Sequence, residues 1–216
     1  MKETIVLATH NAGKIREFKG ALEPLGYDVV SVHDVISDIK EPEETGTTFE
    51  ENARLKALYY MKATGRPCLA DDSGIIADAL HGRPGVYSAR YAGPECDDEK
   101  NNQKLIDELR PFPPEQRTAH YVCDLVLIWP DGREIHAEGT CSGIIRDFYV
   151  PLPVPSAGLW CSGIIRDFYA GTGGFGYDPL FYVPSYGRTM AELSLEEKNK
   201  ISHRGRALKK LLELLP

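Results

Sequence analysis

The sequence has few cysteines, and their arrangement does not indicate a disulfide framework or a zinc site. Five occur among 216 residues, an odd number, at positions 68, 96, 123, 141 and 161. No C-x-x-C motif and no H-E-x-x-H motif is present, so neither a zinc ribbon nor a zinc protease site is indicated. This cysteine usage favours a reducing compartment, and we expect a cytoplasmic location.

Long hydrophobic runs and an excess of positive charge are also lacking. No apolar run approaches the ~18 residues that span a bilayer, and the first residues do not form the apolar core of a signal peptide. Lys and Arg total 25 against 32 Asp and Glu, a net charge of −7. Such a surface disfavours nucleic acid and anionic membranes. We therefore expect a single globular domain over residues 1–216, with no nucleic-acid partner and no membrane partner.

One nine-residue sequence occurs twice. Residues 141–149 and 161–169 both read CSGIIRDFY, and they are separated by VPLPVPSAGLW. Two copies are too few for a solenoid, which needs at least three stacked units. The repeat therefore indicates a 20-residue internal duplication or insertion, natural or engineered, around residues 141–169. The alternative is that both copies compete for one strand position in the fold.

Strand and helix patterns alternate along the chain, and one antiparallel hairpin is added at Asp131-Gly132. The first helix has an apolar face of Ile15, Phe18, Leu22 and Leu25. A capping box at Thr48–Glu51 and a serine cap at Ser202 mark two further helices. The predicted strands cover residues 4–9, 27–32, 67–70, 118–129 and 133–141, and the predicted helices begin near residues 14, 48, 97, 194 and 202. The alternation predicts an α/β fold with a mixed sheet.

Two polar motifs follow predicted strands. The segment Thr9–Lys14 (THNAGK) joins a strand to a helix and can form an anion site from backbone N–H groups and a lysine. An ordinary strand-to-helix turn capped by Asn11 is the alternative. Asp71-Asp72-Ser73-Gly74 is predicted to follow the third strand, where its carboxylates can act as metal ligand and base. Glu43 and Glu44 offer further oxygen ligands for Mg²⁺ or Mn²⁺. A solvated turn and a solvated acidic run are the alternatives for these two segments.

Two later motifs suit a planar, anionic ligand. Glycines surround Phe175 in the segment 173–178 (GGFGYD), which allows close backbone approach and stacking. Lys198, His203 and Arg204 place three potential cations near a helix start. The alternatives are a glycine-rich connection with Phe175 in the core and cations on a solvated helix surface.

Together these motifs resemble the inosine triphosphate pyrophosphatase family. The resemblance extends from residue 4 to the C-terminus, and the repeat region is its one clear departure. It rests on ATHNAGK, EETGTTFEENA, ADDSG, GRPGVYSARYAG, GTGGFGYDP and ISHRG, in that order. The family resemblance implies a long mixed β-sheet flanked by helices, two lobes with a central cleft, and a homodimer. It also implies Mg²⁺-dependent hydrolysis of dITP, ITP and XTP to the monophosphate and pyrophosphate.

The resemblance also implies a role for each matching residue. Asp72 would be the catalytic carboxylate, and the metal would be bound by Glu43 or Glu44 with Asp72, supported by Asp71. The residues implied to bind substrate are Thr9, His10, Asn11, Ala12, Gly13, Lys14, Lys56, Ser73, Phe175, Gly176, Tyr177, Asp178, Lys198, His203 and Arg204. Of these, Thr9–Lys14 would hold the triphosphate, Phe175–Asp178 would border the base, and a donor on Lys198, His203 or Arg204 would recognise its 6-oxo group.

The repeat leaves a rival interpretation open. It directly precedes the glycine-rich loop, so the chain can instead be a catalytically impaired nucleotide-binding protein. Because loop-closure cost grows slowly with length, either copy can occupy the strand at similar free energy. The sequence therefore predicts register heterogeneity or domain swapping in this region.

Overall fold

The computed structural model describes residues 2–146 and 176–215. The second repeat copy, the linker before it and Phe175 lie outside the described residues. In the described part, seven strands form one sheet in the order β2-β1-β3-β4-β5-β6-β7. The strands are β1 (Thr4–Leu7), β2 (Asp28–Ser31), β3 (Cys68–Ala77), β4 (Thr118–Ile128), β5 (Glu134–Ile145), β6 (Phe181–Val183) and β7 (Arg188–Thr189). The helices are α1 (Ala12–Leu22), α2 (Val32–Val35), α3 (Phe49–Thr64), α4 (Asp98–Leu109), α5 (Leu195–Ile201) and α6 (His203–Leu214).

The sheet is mixed, as predicted. Strand β1 pairs in parallel with both β2 and β3, whereas β6 pairs antiparallel with β5 and β7. The predicted α/β class is thereby confirmed. The chain divides into two compact units, one formed by residues 1–74, 121–141 and 199–216 and the other by 75–120 and 142–198. The two lobes with a central cleft stay a prediction.

In the first unit, helices cover both faces of the sheet. One core cluster joins Leu125 and Leu127 of β4 with Phe18 of α1 and Leu211 of α6. A second cluster joins Val126 and Ile128 of the same strand with Ala53 and Ala57 of α3. Because successive strand residues point to opposite faces, β4 is buried on both sides. The sheet therefore has one face toward α1 and α6 and another toward α3.

The helix ends follow their predicted signals. Thr48 Oγ1 accepts from the Glu51 amide, and the Glu51 carboxylate accepts from the Thr47 and Thr48 amides, so the capping box of α3 is confirmed. Ser202 caps α6 by accepting from Gly205 N. Leu25 was expected on the apolar face of α1, but this is wrong. Pro24 lies in a 3-10 turn after α1, and Leu25 is 55% exposed.

In the second unit, α4 packs against two 3-10 turns, Asp78–Leu80 and Gly85–Arg90. Leu105 and Leu109 of α4 are fully buried. Strand β5 contains residues 141–145 of the first repeat copy and pairs Ile144 with Tyr182 of β6. Among the described residues, no helix has the length and hydropathy that a membrane span requires.

Candidate active site

The two aspartates of the D-D-S-G motif lie inside a strand. β3 extends from Cys68 to Ala77, so both the prediction that Asp71 and Asp72 follow the strand and the alternative of a solvated turn are wrong. The apolar residues after the motif explain the difference, because Ile75 and Ala77 are fully buried and continue the strand. Adjacent strand residues point to opposite faces of a sheet. Asp71 and Asp72 therefore take part in different groups of side chains.

Asp71 faces α1 and α6, where two cations contact it. Lys14 Nζ lies 2.8 Å from Asp71 Oδ2, and the Arg204 guanidinium lies 3.5 Å from the same oxygen. The side chains of Asp71 and Arg204 are only 2% and 3% exposed. Burial alone would raise the pKa of Asp71, but the charges of Lys14 and Arg204 hold this pKa well below its usual range. Asp71 is therefore an ionised anchor for two cations.

Arg204 is positioned by the first turn of α6 and by a close approach of β5. Its guanidinium also lies 3.3 Å from Glu17 Oε2 and 3.4 Å from Ser73 Oγ. A Cβ atom on Gly139 of β5 would overlap the carbonyl oxygen of His203 and the amide nitrogen of Ala207. Only glycine at this position lets the start of α6 pack so closely on β5. Glu17 was not among the predicted site residues, although it lies one helical turn after Lys14.

Asp72 faces α3, where one lysine joins two carboxylates. Lys56 Nζ lies 3.2 Å from Asp72 Oδ1 and 2.9 Å from Glu44 Oε1. Burial raises the pKa of Asp72, with the charges of Glu44 and Asp71 adding to it and the charge of Lys56 opposing it. Burial would lower the pKa of Lys56, but Asp72, Glu44 and Asp71 together raise it. Lys56 is therefore a permanent cation between these carboxylates.

Asn52 completes this group and was missed in the sequence. It is fully buried, its amide donates to Asp72 Oδ2 at 3.2 Å, and its oxygen accepts from Gly46 N at 2.8 Å. Asn52 lies four residues before Lys56, so both side chains share one face of α3. This four-residue spacing from Lys56 was the sequence signal that could have identified Asn52. Of the two predicted glutamates, Glu44 contacts Lys56, whereas Glu43 is exposed.

The segment Thr9–Lys14 forms a capped helix start. Asn11 Oδ1 accepts from Gly13 N at 2.9 Å and from Lys14 N at 3.0 Å, and Thr9 Oγ1 accepts from Asn11 N at 3.1 Å. α1 begins at Ala12. The capping interpretation is thereby confirmed. The amides of Gly13 and Lys14 already have an acceptor in Asn11, and an anion site at this turn stays a prediction.

The described part of the glycine-rich motif lies in the second unit. Gly176 N donates to Asp98 Oδ2 at 2.9 Å, and the Gly176 carbonyl accepts from Asn102 Nδ2 at 3.0 Å. The Tyr177 hydroxyl donates to the carbonyl of Ser88 at 2.8 Å. Lys198 Nζ donates to Asp178 Oδ2 at 2.5 Å. α4 and α5 thus fix the backbone and the charged pair of this loop.

His203 is a buried aromatic of the first unit. Its ring stacks on that of Tyr121, with centroids 4.7 Å apart and planes 15° from parallel. Only 6% of the residue is exposed. His203 and Arg204 are therefore both part of the packed start of α6.

Comparison with known proteins places the chain in a family. The sequence matches the model of the Ham1 family over residues 5–148 and 156–214. The chain belongs to the Ham1 family. A dITP/XTP pyrophosphatase from Halalkalibacterium halodurans is 50% identical over 211 residues, which cover 98% of this chain and 97% of that protein. A dITP/XTP pyrophosphatase from Escherichia coli K12 is 47% identical over 213 residues, covering 99% of this chain and 98% of that protein.

Solved structures give the same result for the fold of this Ham1 family member. The Staphylococcus aureus Ham1 protein superimposes with a TM-score of 0.79 at 41% identity, covering 98% of this chain and 97% of that one. A HAM1 protein from Coxiella burnetii gives a TM-score of 0.82 at 37% identity, covering 98% of each chain. The resemblance predicted from the six motifs is thereby confirmed.

Proposed function

We propose that this chain hydrolyses purine nucleoside triphosphates with hypoxanthine or xanthine as base, namely dITP, ITP and XTP, to the monophosphate and pyrophosphate. The observation that carries the proposal is the group of Asp72, Glu44 and Lys56, next in sequence to Asp71, which contacts Lys14. The names of relatives about half identical over nearly the whole chain support it. The products follow from attack of water at the α-phosphorus.

The residues around Asp72 fit a divalent cation. Asp72 and Glu44 are oxygen ligands that approach the same ammonium group, at 3.2 Å and 2.9 Å. Mg²⁺ is commonly bound by one or two carboxylates plus substrate phosphates. We propose Asp72 and Glu44 as ligands of Mg²⁺, or of Mn²⁺. The ion would supply positive charge beside the phosphates and the attacking oxygen.

Asp72 is proposed as the general base. A base works best when its pKa is closer to the working pH than that of a free carboxylate, and burial raises the pKa of Asp72 in this direction. Asn52 and Lys56 bind one oxygen each and fix the orientation of the carboxylate. Asp72 can therefore take a proton from a water directed at the phosphorus.

Asp71 is proposed to act as a charge anchor and not as a metal ligand. Its oxygens contact Lys14 and Arg204, and it faces the opposite side of the sheet from Asp72. Held by Asp71, Lys14 stands at the first turn of α1, where a phosphate oxygen would also meet the positive end of the helix dipole. Arg204 is almost fully buried, so we propose that it supports Asp71 and Ser73.

Recognition of the base stays a prediction for Phe175, Gly176, Tyr177, Asp178, Lys198 and His203. The 6-oxo group of hypoxanthine and xanthine would accept a hydrogen bond that the 6-amino group of adenine cannot. The ionised pair of Lys198 and Asp178 offers both a donor and an acceptor for such discrimination. The homodimer and the cytoplasmic location are likewise proposals, supported by the family resemblance and the cysteine usage.

The direct test is release of pyrophosphate from ITP, dITP and XTP with Mg²⁺, compared with ATP and GTP. We expect turnover of the first three to exceed that of ATP and GTP by at least about tenfold, because adenine lacks the 6-oxo acceptor and the 2-amino group of guanine would meet a poor environment. Equal rates for all five nucleotides, or no turnover by the folded protein, would refute the proposal. The Asp72→Asn variant is the control and should lose turnover while keeping its fold.

The repeat favours one second candidate, a protein that binds these nucleotides without hydrolysing them. The duplicated segment directly precedes the glycine-rich motif. The same nucleotide panel on a variant lacking residues 141–160 separates the two candidates. Turnover by that variant alone, with nucleotide binding by both proteins, would support the second candidate.

A further inference from the structure

Two histidines and a glutamate meet on the surface of the first unit, apart from the carboxylates described above. They are His10 after β1, His33 in α2 and Glu41 in the loop before α3. One donor atom from each lies within 4.8 Å of the others. His10 Nδ1 is 3.2 Å from Glu41 Oε1, and the rings of His10 and His33 are 5.9 Å apart with planes at 70°. All three side chains are exposed.

The backbone holds the two histidines close to each other. β1 and β2 are parallel neighbours that pair Leu7 with Ser31. The buried Ser31 hydroxyl donates to the Thr9 carbonyl at 2.9 Å, which joins the residue before His10 to the residue two positions before His33. The Asp34 carboxylate accepts from Ser31 N at 3.1 Å and fixes the start of α2. The proximity of the two rings is therefore set by the sheet.

The three side chains form a donor set typical of a transition metal. Imidazole nitrogen suits Zn²⁺, Co²⁺ and Ni²⁺, whereas Mg²⁺ prefers oxygen alone. Zinc bonds of about 2.0–2.2 Å place tetrahedral ligand atoms roughly 3.4 Å apart. The distance from His10 to Glu41 already matches, at 3.2 Å. The widest separation, at most 4.8 Å, closes by side-chain rotation because the groups are exposed.

We propose that His10, His33 and Glu41 form a binding site for one divalent transition-metal ion of the zinc class. Three protein ligands leave the fourth tetrahedral position to water. The site differs in ligand chemistry from Asp72 and Glu44, which contribute carboxylate oxygen only. A bound ion would link β1, α2 and the loop before α3, and so would stabilise the first unit. The proposal does not rest on the proposed hydrolysis, although its ligand His10 lies in the segment Thr9–Lys14 that is predicted to hold the triphosphate.

The test uses the full chain, freed of metal and kept in millimolar Mg²⁺ to occupy carboxylate sites. Co²⁺ is titrated while its visible absorption is followed, and Zn²⁺ affinity is then measured by displacement and by calorimetry. We expect one ion per chain, with nitrogen and oxygen ligands. The His33→Gln variant should bind at least about tenfold more weakly, since loss of even an outer-shell partner costs 10–100-fold. Glu41→Gln should also weaken binding.

His120→Gln is the matched control. His120 also lies near a carboxylate, 3.6 Å from Asp78 Oδ1, but is not part of a three-ligand group among the described residues. Its substitution should leave Co²⁺ affinity unchanged. Equal affinity of the His33→Gln and His120→Gln variants, no binding at all, or a thiolate-to-cobalt absorption band would overturn the proposal. If His33→Gln does not fold, Glu41→Gln decides by the same comparison with the control.

Discussion

Replacing Asp71 with asparagine tests whether this buried carboxylate stabilises the protein through two cations. The substitution keeps the shape of the side chain and removes its charge. Removing one partner of a buried ion pair costs roughly 3–5 kcal/mol because the other charge stays uncompensated. Lys14 is 20% exposed and can reach water, whereas Arg204 is 3% exposed and still contacts Glu17 and Ser73. We therefore expect the low end of the range, about 3 kcal/mol.

The assay is urea unfolding of the full chain at pH 7, supported by thermal unfolding. A loss of about 3 kcal/mol corresponds to a fall in Tm of roughly 6–12 °C for a protein of this size. Asp107→Asn is the matched control. The Arg110–Asp107 pair has almost the same distance, 2.9 Å, but its side chains are 62% and 49% exposed. Exposed pairs contribute about 0–1 kcal/mol, so the control should differ little from the unchanged protein.

The pH dependence gives a second measurement with a defined sign. The pKa of Asp71 is lower in the folded protein than the value of about 3.9 expected in the unfolded chain. The carboxylate therefore contributes stability above pH ~4, and this contribution is lost as pH falls toward the lower folded pKa. The difference in free energy of unfolding between the unchanged protein and the Asp71→Asn variant should be constant above about pH 5 and shrink below pH 4. A difference under ~1 kcal/mol at pH 7, or a difference that grows in acid, would show that the ion pairs of Asp71 do not stabilise the protein.

Four further outcomes are expected. Asp72→Asn should raise the urea midpoint in buffer without divalent ions. Burial raises the pKa of Asp72, so its ionised form costs folding free energy. The rise in midpoint should vanish as pH falls below about 4, and a lower midpoint at pH 7 would contradict this. Asn52→Ala should cost about 1–3 kcal/mol in urea unfolding, since the half-buried amide of Gly46 loses its fully buried acceptor, and an unchanged midpoint would contradict this. Gly139→Ala should lower both the urea midpoint and turnover, because its Cβ would overlap the start of α6. The control Gly20→Ala, at a helical position with open space, should stabilise the protein by up to ~1 kcal/mol. A similar effect of the two substitutions would disprove the close approach of β5 to α6. Chelation of divalent ions should weaken nucleotide binding at least about tenfold in a calorimetric titration, and unchanged binding would contradict the metal role.

Three helix starts were predictable because local chemistry decides them. The capping box at Thr48, the cap at Ser202 and the cap at Asn11 each satisfy amides within a few residues. The alternation of strands and helices was likewise sufficient for the α/β class. These features depend on short stretches of sequence, and the structure agrees with them.

The position of the aspartates was not predictable from local preference. D-D-S-G is favourable turn chemistry, yet the buried residues after it extend β3 to Ala77. Tertiary burial therefore overrides the turn preference.

The partners of Arg204 were not predictable for a different reason. Glu17 and Arg204 are 187 residues apart in sequence and meet only through the packing of α1 and α6. No local sequence pattern indicates a contact between two residues so far apart in the chain.

The charges around β3 favour the proposed divalent ion. The whole chain carries a net charge of −7, so binding of a triphosphate must depend on local positive charge. Around β3, the three cations Lys14, Lys56 and Arg204 contact the four carboxylates Glu17, Glu44, Asp71 and Asp72. Within this group the carboxylates outnumber the cations by one, so its positive charge is already balanced before a triphosphate arrives. A divalent ion at Asp72 and Glu44 would change the net charge of this group from negative to positive. Lys14 would then add to a positive field that attracts a triphosphate, in addition to neutralising Asp71.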